Sequence, residues 1–295
     1  MEEIHYFPAK RKLASPYFSI LIPSWNNLPY LTLCVNSIRK HSVVPFELIV
    51  HLNESNDGSK EWVEAQEDIA FSYSKKNVGV CNAMNAMRTL AHANYLLYLN
   101  DDMYVLPDWD QELKKEIDSC GTQKFFFSST MIEPRAQSTC SIEADFGTSI
   151  ENFQEEKLNN THRQFEFQDW QGSTWPPNVV HKDLWDLVGG YSIEFSPGMY
   201  SDPDFSMKLW NQGVRLFKGL GASRVYHFGS ISVKRVKQNK GYYQFIRKWG
   251  MTSSTLSKYY LRRGDKFDGP LVQRPIPVMV QLKNLYYRLS LPFRK

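Results

Sequence analysis

The sequence predicts an α/β protein, a mostly parallel central sheet flanked by helices, continued by a basic and largely helical C-terminal extension. Apolar runs of strand length alternate with stretches of helical periodicity over residues 17–104, which implies parallel strands joined by right-handed crossovers. The run Tyr95-Leu96-Leu97-Tyr98-Leu99 stops abruptly at Asn100-Asp101-Asp102, the pattern of a strand covered on both faces that carries polar groups to the carboxyl end of its sheet. Charge is also divided: residues 1–204 hold 16 Lys+Arg against 29 acids, and residues 205–295 hold 19 against 2.

With 295 residues, 42% hydrophobic and 14% aromatic, the chain can bury a large core as one extended domain, which excludes a disordered protein. No apolar stretch approaches the length that spans a bilayer and no signal-peptide pattern opens the sequence, so a cytoplasmic location is expected. Cys34, Cys81, Cys120 and Cys140 are scattered without a C-x-x-C pair, so they read as reduced fillers instead of a zinc or disulfide framework. The basic C-terminal third points to an anionic partner, or to a solvated face that balances the acidic part.

Taken in order, residues 1–16 form a charged leader. Residues 17–22 read as the first strand, closed by Pro23, and Ser24-Trp25-Asn26-Asn27 as a polar loop. Pro29 opens a helix whose positions Leu31, Val35 and Ile38 follow helical spacing until Arg39-Lys40-His41. A second strand over 46–52 ends in the turn-rich loop Asn53 to Ser59, a helix covers 61–70, a short strand 69–73, and a helix runs from about Cys81 to Ala93 into the acid-bearing strand. Further on, 125–130 reads as a strand, 205–212 as a helix stopped by Gly213, and 214–216 and 223–225 as two short strands.

No G-x-G-x-x-G or G-x-x-x-x-G-K-[ST] follows these strands, so no glycine-rich turn cradles phosphate. Paired carboxylates at a strand end suit instead a hard divalent ion, Mg²⁺ or Mn²⁺, which takes oxygen ligands and bridges to substrate phosphates. Asn and Asp are equally at home in an ordinary turn.

Five segments together resemble a family 2 glycosyltransferase of the GT-A fold: Ile22-Pro23-Ser24-Trp25-Asn26-Asn27, Asn53-x-Ser55-x-Asp57-Gly58-Ser59, Asn77-x-Gly79-x-x-x-Ala83-x-Asn85, Leu99-Asn100-Asp101-Asp102, and Gly189-Gly190-Tyr191 with Ser201-Asp202-Pro203-Asp204. The resemblance covers roughly residues 17–230. It implies transfer of a sugar from a nucleotide diphosphate donor to a glycan or lipid-linked glycan hydroxyl, of the bacterial surface-glycan type, with inversion at the anomeric carbon. It further implies a donor-binding half over 17–120, an acceptor-side half over 121–230 and an extension over 231–295. Pro23, Ser24, Trp25, Asn26, Asn53, Asp57, Asn77, Gly79, Asn100 and Asp101 would line the donor site. Asp102 would hold Mn²⁺ or Mg²⁺, joined by His227, and Asp202 would be the general base, with Asp204 capping the following helix or orienting its loop. Tyr200 and Trp175 fall on the acceptor side, where Trp175, like Trp170, reads equally as core packing or as a wall against the sugar. Lys234, Arg235 and Lys237 are placed to hold diphosphate oxygens as point charges.

The competing reading is a phosphate- or nucleic-acid-binding module that uses the basic third with Tyr242, Tyr243, Phe245 and Trp249, or a relative of the fold that binds without catalysis. Four aspartates converging on the site would repel a polyanion, so no nucleic acid is expected. At the C-terminus Val278, Leu282, Leu285 and Leu289 share one helical face among Lys283, Arg288, Arg294 and Lys295. Such a helix lies on an anionic membrane surface, at the inner face of the cell membrane, or docks on protein.

Overall fold

The computed structural model describes residues 2–11, 13–136, 138–229 and 240–291. Along the chain these form β1 (Ile4–Phe7), β2 (Phe18–Trp25), α1 (Leu28–His41), β3 (Phe46–Asn53), α2 (Ser59–Glu64), β4 (Ile69–Ser74), α3 (Gly79–Arg88), β5 (Tyr95–Tyr98), β6 (Met103–Val105) and α4 (Trp109–Ser119). The second half contributes β7 (Phe125–Glu133), β8 (Ser141–Glu143), α5 (Glu155–Thr161), β9 (Trp170–Gln171), β10 (Asn178–His181), α6 (Lys182–Val188), α7 (Ser201–Asn211), β11 (Leu216–His227), α8 (Gly241–Trp249), α9 (Ser253–Thr255) and α10 (Val278–Ser290).

One sheet runs in the order β1-β4-β3-β2-β5-β10-β7-β11-β6. The block β4-β3-β2-β5 is parallel, with Ile20 opposite both Leu48 and Leu97. The period-two alternation of a strand explains why its sequence is apolar throughout. Ile20, Ile22, Val50 and Leu97 face α1 through Leu31, Val35 and Ile38. Leu21, Ile49 and Leu96 face the opposite layer, where Met84 and Met87 of α3 meet Trp185 and Phe205. Beyond β5 the sheet becomes mixed: β10 is antiparallel to β5 and β7, β11 is parallel to β7, and β6 closes the edge antiparallel to β11. The chain therefore leaves β5 and rejoins the sheet on the far side of β11, so that residues 99–102 cross the strand ends between.

Several boundaries differ from the sequence reading. The charged leader holds a strand that the sequence reading did not give, since β1 pairs antiparallel with β4 and Phe7 stacks on Phe71 at 4.5 Å. Pro23 does not close β2, which continues to Trp25. The helices expected at 61–70 and 81–93 are shorter and earlier, as α2 and α3. The two short strands expected after α7 are one twelve-residue strand, β11, with a register shift between Leu220 and Arg224. Its glycines are no break: a Cβ at Gly219 would collide with the Trp170 indole and one at Gly221 with the Phe167 carbonyl, so both admit close neighbours. All four cysteines are free, as expected. Among the described residues no helix is long and apolar enough to cross a membrane.

Candidate active site

Three strand ends meet at the carboxyl edge of the parallel block. Ser24 Oγ donates to Asp101 Oδ2 at 2.7 Å, which fastens the end of β2 to the loop after β5, and both residues are buried. Around them Glu54, just past β3, accepts from Trp25 Nε1 at 2.7 Å, from Asn26 Nδ2 at 3.3 Å and from the Asn77 backbone at 3.4 Å. Asn53 Oδ1 accepts from the Val78 backbone at 2.9 Å and Asn77 Oδ1 from that of Gly79 at 2.8 Å. Of the residues expected at the donor site, Ser24 and Asp101 form one bonded pair, and Trp25, Asn26, Asn53, Asn77 and Gly79 knit the loops after β2, β3 and β4. Asp57 is the most peripheral: it is exposed and accepts from the Leu28 backbone and from the Ser59 backbone and hydroxyl. Partial burial, which alone would raise its pKa, is outweighed by those donors, and the carboxyl stays below its ordinary value.

The loop after β5 brings Asp102 to the end of β11. Asp102 Oδ1 lies 3.6 Å from His227 Nε2, and the other ring nitrogen, Nδ1, lies 2.8 Å from Glu133 Oε1 at the end of β7. All three side chains are buried. Burial favours the neutral imidazole, but Asp102 and Glu133 override it and raise the His227 pKa to about 10. Among the described residues no group of three or more His, Cys, Asp or Glu is arranged to hold a metal. An Asp oxygen and an imidazole nitrogen converging from two elements still fit a divalent ion that draws its remaining ligands from a diphosphate.

Across from these acids stands the acceptor-side segment, and the N-terminus of α3 holds it in place. Gly79, at φ +78°, lets the chain pass so close that a Cβ there would lie 2.6 Å from Pro197 Cα, and the Val80 backbone donates to Pro197 O at 2.9 Å. Asn85 grips the Tyr191 backbone at two points, donating to its carbonyl at 2.7 Å and accepting from its N–H at 2.9 Å. The Tyr191 ring stacks on Phe205 at 4.8 Å, and its hydroxyl donates to Asp202 Oδ1 at 3.0 Å. Asp202 is partly exposed as a residue, yet burial of its carboxyl raises the pKa to about 7, against the Tyr191 bond that lowers it.

Burial first, then the charges of Asp202, Asp102 and Asp101, push the pKa of the buried Tyr98 phenol well above the ordinary value. Its ring meets Tyr191 edge-on at 6.1 Å, and the Tyr191 hydroxyl holds Asp202.

Asp202 and Asp204 lie within the first turn of α7, not before it, because the helix starts at Ser201 and Pro203 is tolerated there. Asp204 is fully buried and faces the C-terminal extension, accepting from Trp249 Nε1 and pairing with Lys248 Nζ, each at 2.9 Å. Tyr200 holds φ +70° and packs on Tyr242 of α8 at 5.6 Å. Trp175 lies under the Arg263 guanidinium at 4.0 Å. Asn100 is half-buried, and its carbonyl accepts from Cys34 Sγ at 3.6 Å. Pro23 is half-buried in β2. Lys234, Arg235 and Lys237 lie outside the described residues. Glu54, Glu133, Asn85 and Tyr191 organise the site although the sequence reading gave none of them a role in it; Asn85 and Tyr191 stood in the segments that carry the resemblance and Glu54 directly follows Asn53, whereas nothing marked Glu133.

A family model described as glycosyl transferase family 2 matches residues 19–168. The chain is 24% identical over 260 residues to a chondroitin synthase of Pasteurella multocida (strain Pm70), covering 86% of this chain and 25% of that protein. It is 25% identical over 249 residues to a hyaluronan synthase of Pasteurella multocida, covering 80% of this chain and 24% of that one. The chain thus spans about a quarter of the length of these curated relatives. Among solved structures, S. aureus TarS 1-349 shares the fold with a TM-score of 0.58 at 15% identity, covering 94% of this chain and 71% of TarS 1-349. The same protein in complex with UDP-GlcNAc matches with a TM-score of 0.58 at 15% identity over 94% of this chain and 72% of that chain.

Proposed function

The chain belongs to glycosyl transferase family 2, and from that membership we propose that it moves a sugar from a nucleotide diphosphate donor to an acceptor hydroxyl with inversion at the anomeric carbon. What supports this reading is that Tyr98, just before Asp101 and Asp102 in the chain, meets Tyr191 edge-on at 6.1 Å and that the Tyr191 hydroxyl holds Asp202, because the reaction needs diphosphate-side and acceptor-side carboxylates at one place.

The donor base and ribose lie among Pro23, Ser24, Trp25, Asn26, Asn53 and Asn77, with Glu54 holding the three loops in register and Asp57 bracing them. A uridine diphosphate sugar is the donor class to try first, since the fold neighbour TarS is known in complex with UDP-GlcNAc and with UDP. The acceptor is a glycan or lipid-linked glycan in surface polysaccharide synthesis, in keeping with relatives named for chondroitin and hyaluronan synthesis.

Asp102 and His227, the latter once Nε2 has given up its proton, would hold the Mn²⁺ or Mg²⁺ that this chemistry calls for, which would neutralise charge on the departing diphosphate. Asp102 supplies the anionic oxygen, and Glu133 turns the His227 ring so that Nε2 faces the same point. On the other side Asp202 takes the acceptor proton as the new bond to the anomeric carbon forms and the bond to the diphosphate oxygen breaks. A carboxylate whose pKa is near 7 suits that task at neutral pH. Trp175 and Tyr200 flank the acceptor side.

Hydrolysis of a panel of nucleotide sugars, measured with Mn²⁺, with Mg²⁺ and with chelator, tests the reading. Metal-dependent release of one nucleotide diphosphate is expected. No release from any donor, together with no binding of any nucleotide diphosphate, overturns it.

A further inference from the structure

The helix α10 is mounted with its apolar face outward. Its one buried side chain is polar: Asn284 Oδ1 accepts from the Thr252 backbone at 3.2 Å and from Thr255 Oγ1 at 3.1 Å. On the same side Tyr287 meets Tyr242 of α8 at 6.3 Å. These contacts fix the rotation of the helix, and at 100° per residue they leave Val278, Met279, Leu282, Leu285, Tyr286 and Leu289 within an arc of about 120° on the other side. All six are exposed, from 48% for Leu285 to 76% for Met279. An apolar stripe of this size marks a surface that meets something other than water.

The charge pattern identifies the occupant. Lys283 and Arg288 are exposed at the two margins of the stripe, and no acid follows Asp268 anywhere in the sequence. A second copy of the chain laid on this face would oppose cation to cation. A bilayer with anionic headgroups satisfies both features, since the apolar side chains enter the acyl boundary while the cations at the rim reach phosphate. We propose that the exposed face of α10 docks the enzyme on an anionic lipid surface. The helix is coupled to the catalytic region through Tyr287, Tyr242 and Tyr200, the last pair 5.6 Å apart, and Tyr200 immediately precedes the turn that carries Asp202.

The test is flotation of the full chain with vesicles of phosphatidylglycerol mixed with phosphatidylcholine, and with vesicles of phosphatidylcholine alone. The wild type is expected to float with the mixed vesicles only. The variant Leu282→Ser/Leu285→Ser/Leu289→Ser changes only exposed positions, so it should keep its melting temperature and lose flotation. Lys283→Gln/Arg288→Gln should bind roughly thirtyfold more weakly, the effect of two interfacial cations. A wild type that stays unbound, a serine variant that floats equally well, or equal binding to phosphatidylcholine alone overturns the proposal. A wild type that light scattering finds dimeric, and that the serine variant makes monomeric, also overturns it and assigns the face to a second copy.

Discussion

Glu133 Oε1 lies 2.8 Å from His227 Nδ1, while Nε2 of the same ring lies 3.6 Å from Asp102 Oδ1. A carboxylate only accepts, so Nδ1 carries a proton toward Glu133 and Nε2 of the protonated ring carries one toward Asp102, a proton that a metal bound there would replace. That is the arrangement in which a carboxylate behind a histidine orients it toward a metal and raises its basicity. Glu133→Gln should therefore weaken Mn²⁺ binding in the presence of nucleotide diphosphate by about 10–100-fold, the usual consequence of removing such a partner. Titration calorimetry or the Mn²⁺ resonance signal reads this without turnover. Unchanged affinity would mean that Glu133 only fills space. Asp102→Ala should remove the binding altogether and leave the fold intact.

This relationship also shows where sequence reading stops. Glu133 and His227 are 94 residues apart, and neither neighbourhood carries a pattern that names the other, so His227 entered the expected site through family resemblance while Glu133 did not. The strand and helix alternation over residues 17–104 was legible because its signals are local: apolar periodicity, Pro29 at a helix start, and turn residues at strand ends. What failed was the placing of element ends. The helix expected at 205–212 begins at Ser201 and includes both aspartates, because the first turn needs no N–H from Pro203. The strands expected at 214–216 and 223–225 run together as β11, and the space that Gly219 and Gly221 leave in it is filled by Trp170 and by the backbone of Phe167. Whether a glycine bends the chain or admits a neighbour depends on residues distant in sequence.

Asp204 ties the catalytic region to the extension. Lys248 Nζ reaches it at 2.9 Å and also meets Glu194 at 2.9 Å, and both acids raise the lysine's pKa against the effect of burial. Asp204→Asn leaves Trp249 a partner and removes the charge that Lys248 needs. With Lys248 still one-quarter exposed and retaining Glu194, a loss of about 1–3 kcal/mol is expected in urea unfolding, less than for a fully buried pair. Activity well below the melting temperature should persist. A stable but inactive variant would transfer a catalytic role to Asp204.

Asn85 touches the proposed base at one remove. Its two bonds fix the Tyr191 backbone, and the Tyr191 hydroxyl holds Asp202. Asn85→Ala should cost about 1–3 kcal/mol of stability for two lost hydrogen bonds. It should lower kcat while leaving the donor KM nearly unchanged, because the donor loops do not depend on it. A proportional rise in donor KM would show that the pocket had collapsed instead.

The pKa of Asp202 links activity to stability with opposite signs. Burial raises it to about 7, so the folded chain holds a proton there that the unfolded chain releases near pH 4. Between those values the unfolded state binds fewer protons, and folding becomes less favourable as pH rises. Above about pH 7 the full cost of the buried charge is present. Asp202→Asn removes that cost, so the variant should melt above the wild type at pH 8, and the difference should shrink as pH falls toward 4. Over the same range kcat/KM of the wild type should rise with pH and level off above about 7, as the base loses its proton. The variant should bind donor normally and turn over about 10²–10⁴-fold more slowly, the loss expected for a general base. Thermal melts across pH together with steady-state rates decide the matter. A variant that is neither slower nor more stable at pH 8 would show that Asp202 is not the base and that its carboxyl is solvated.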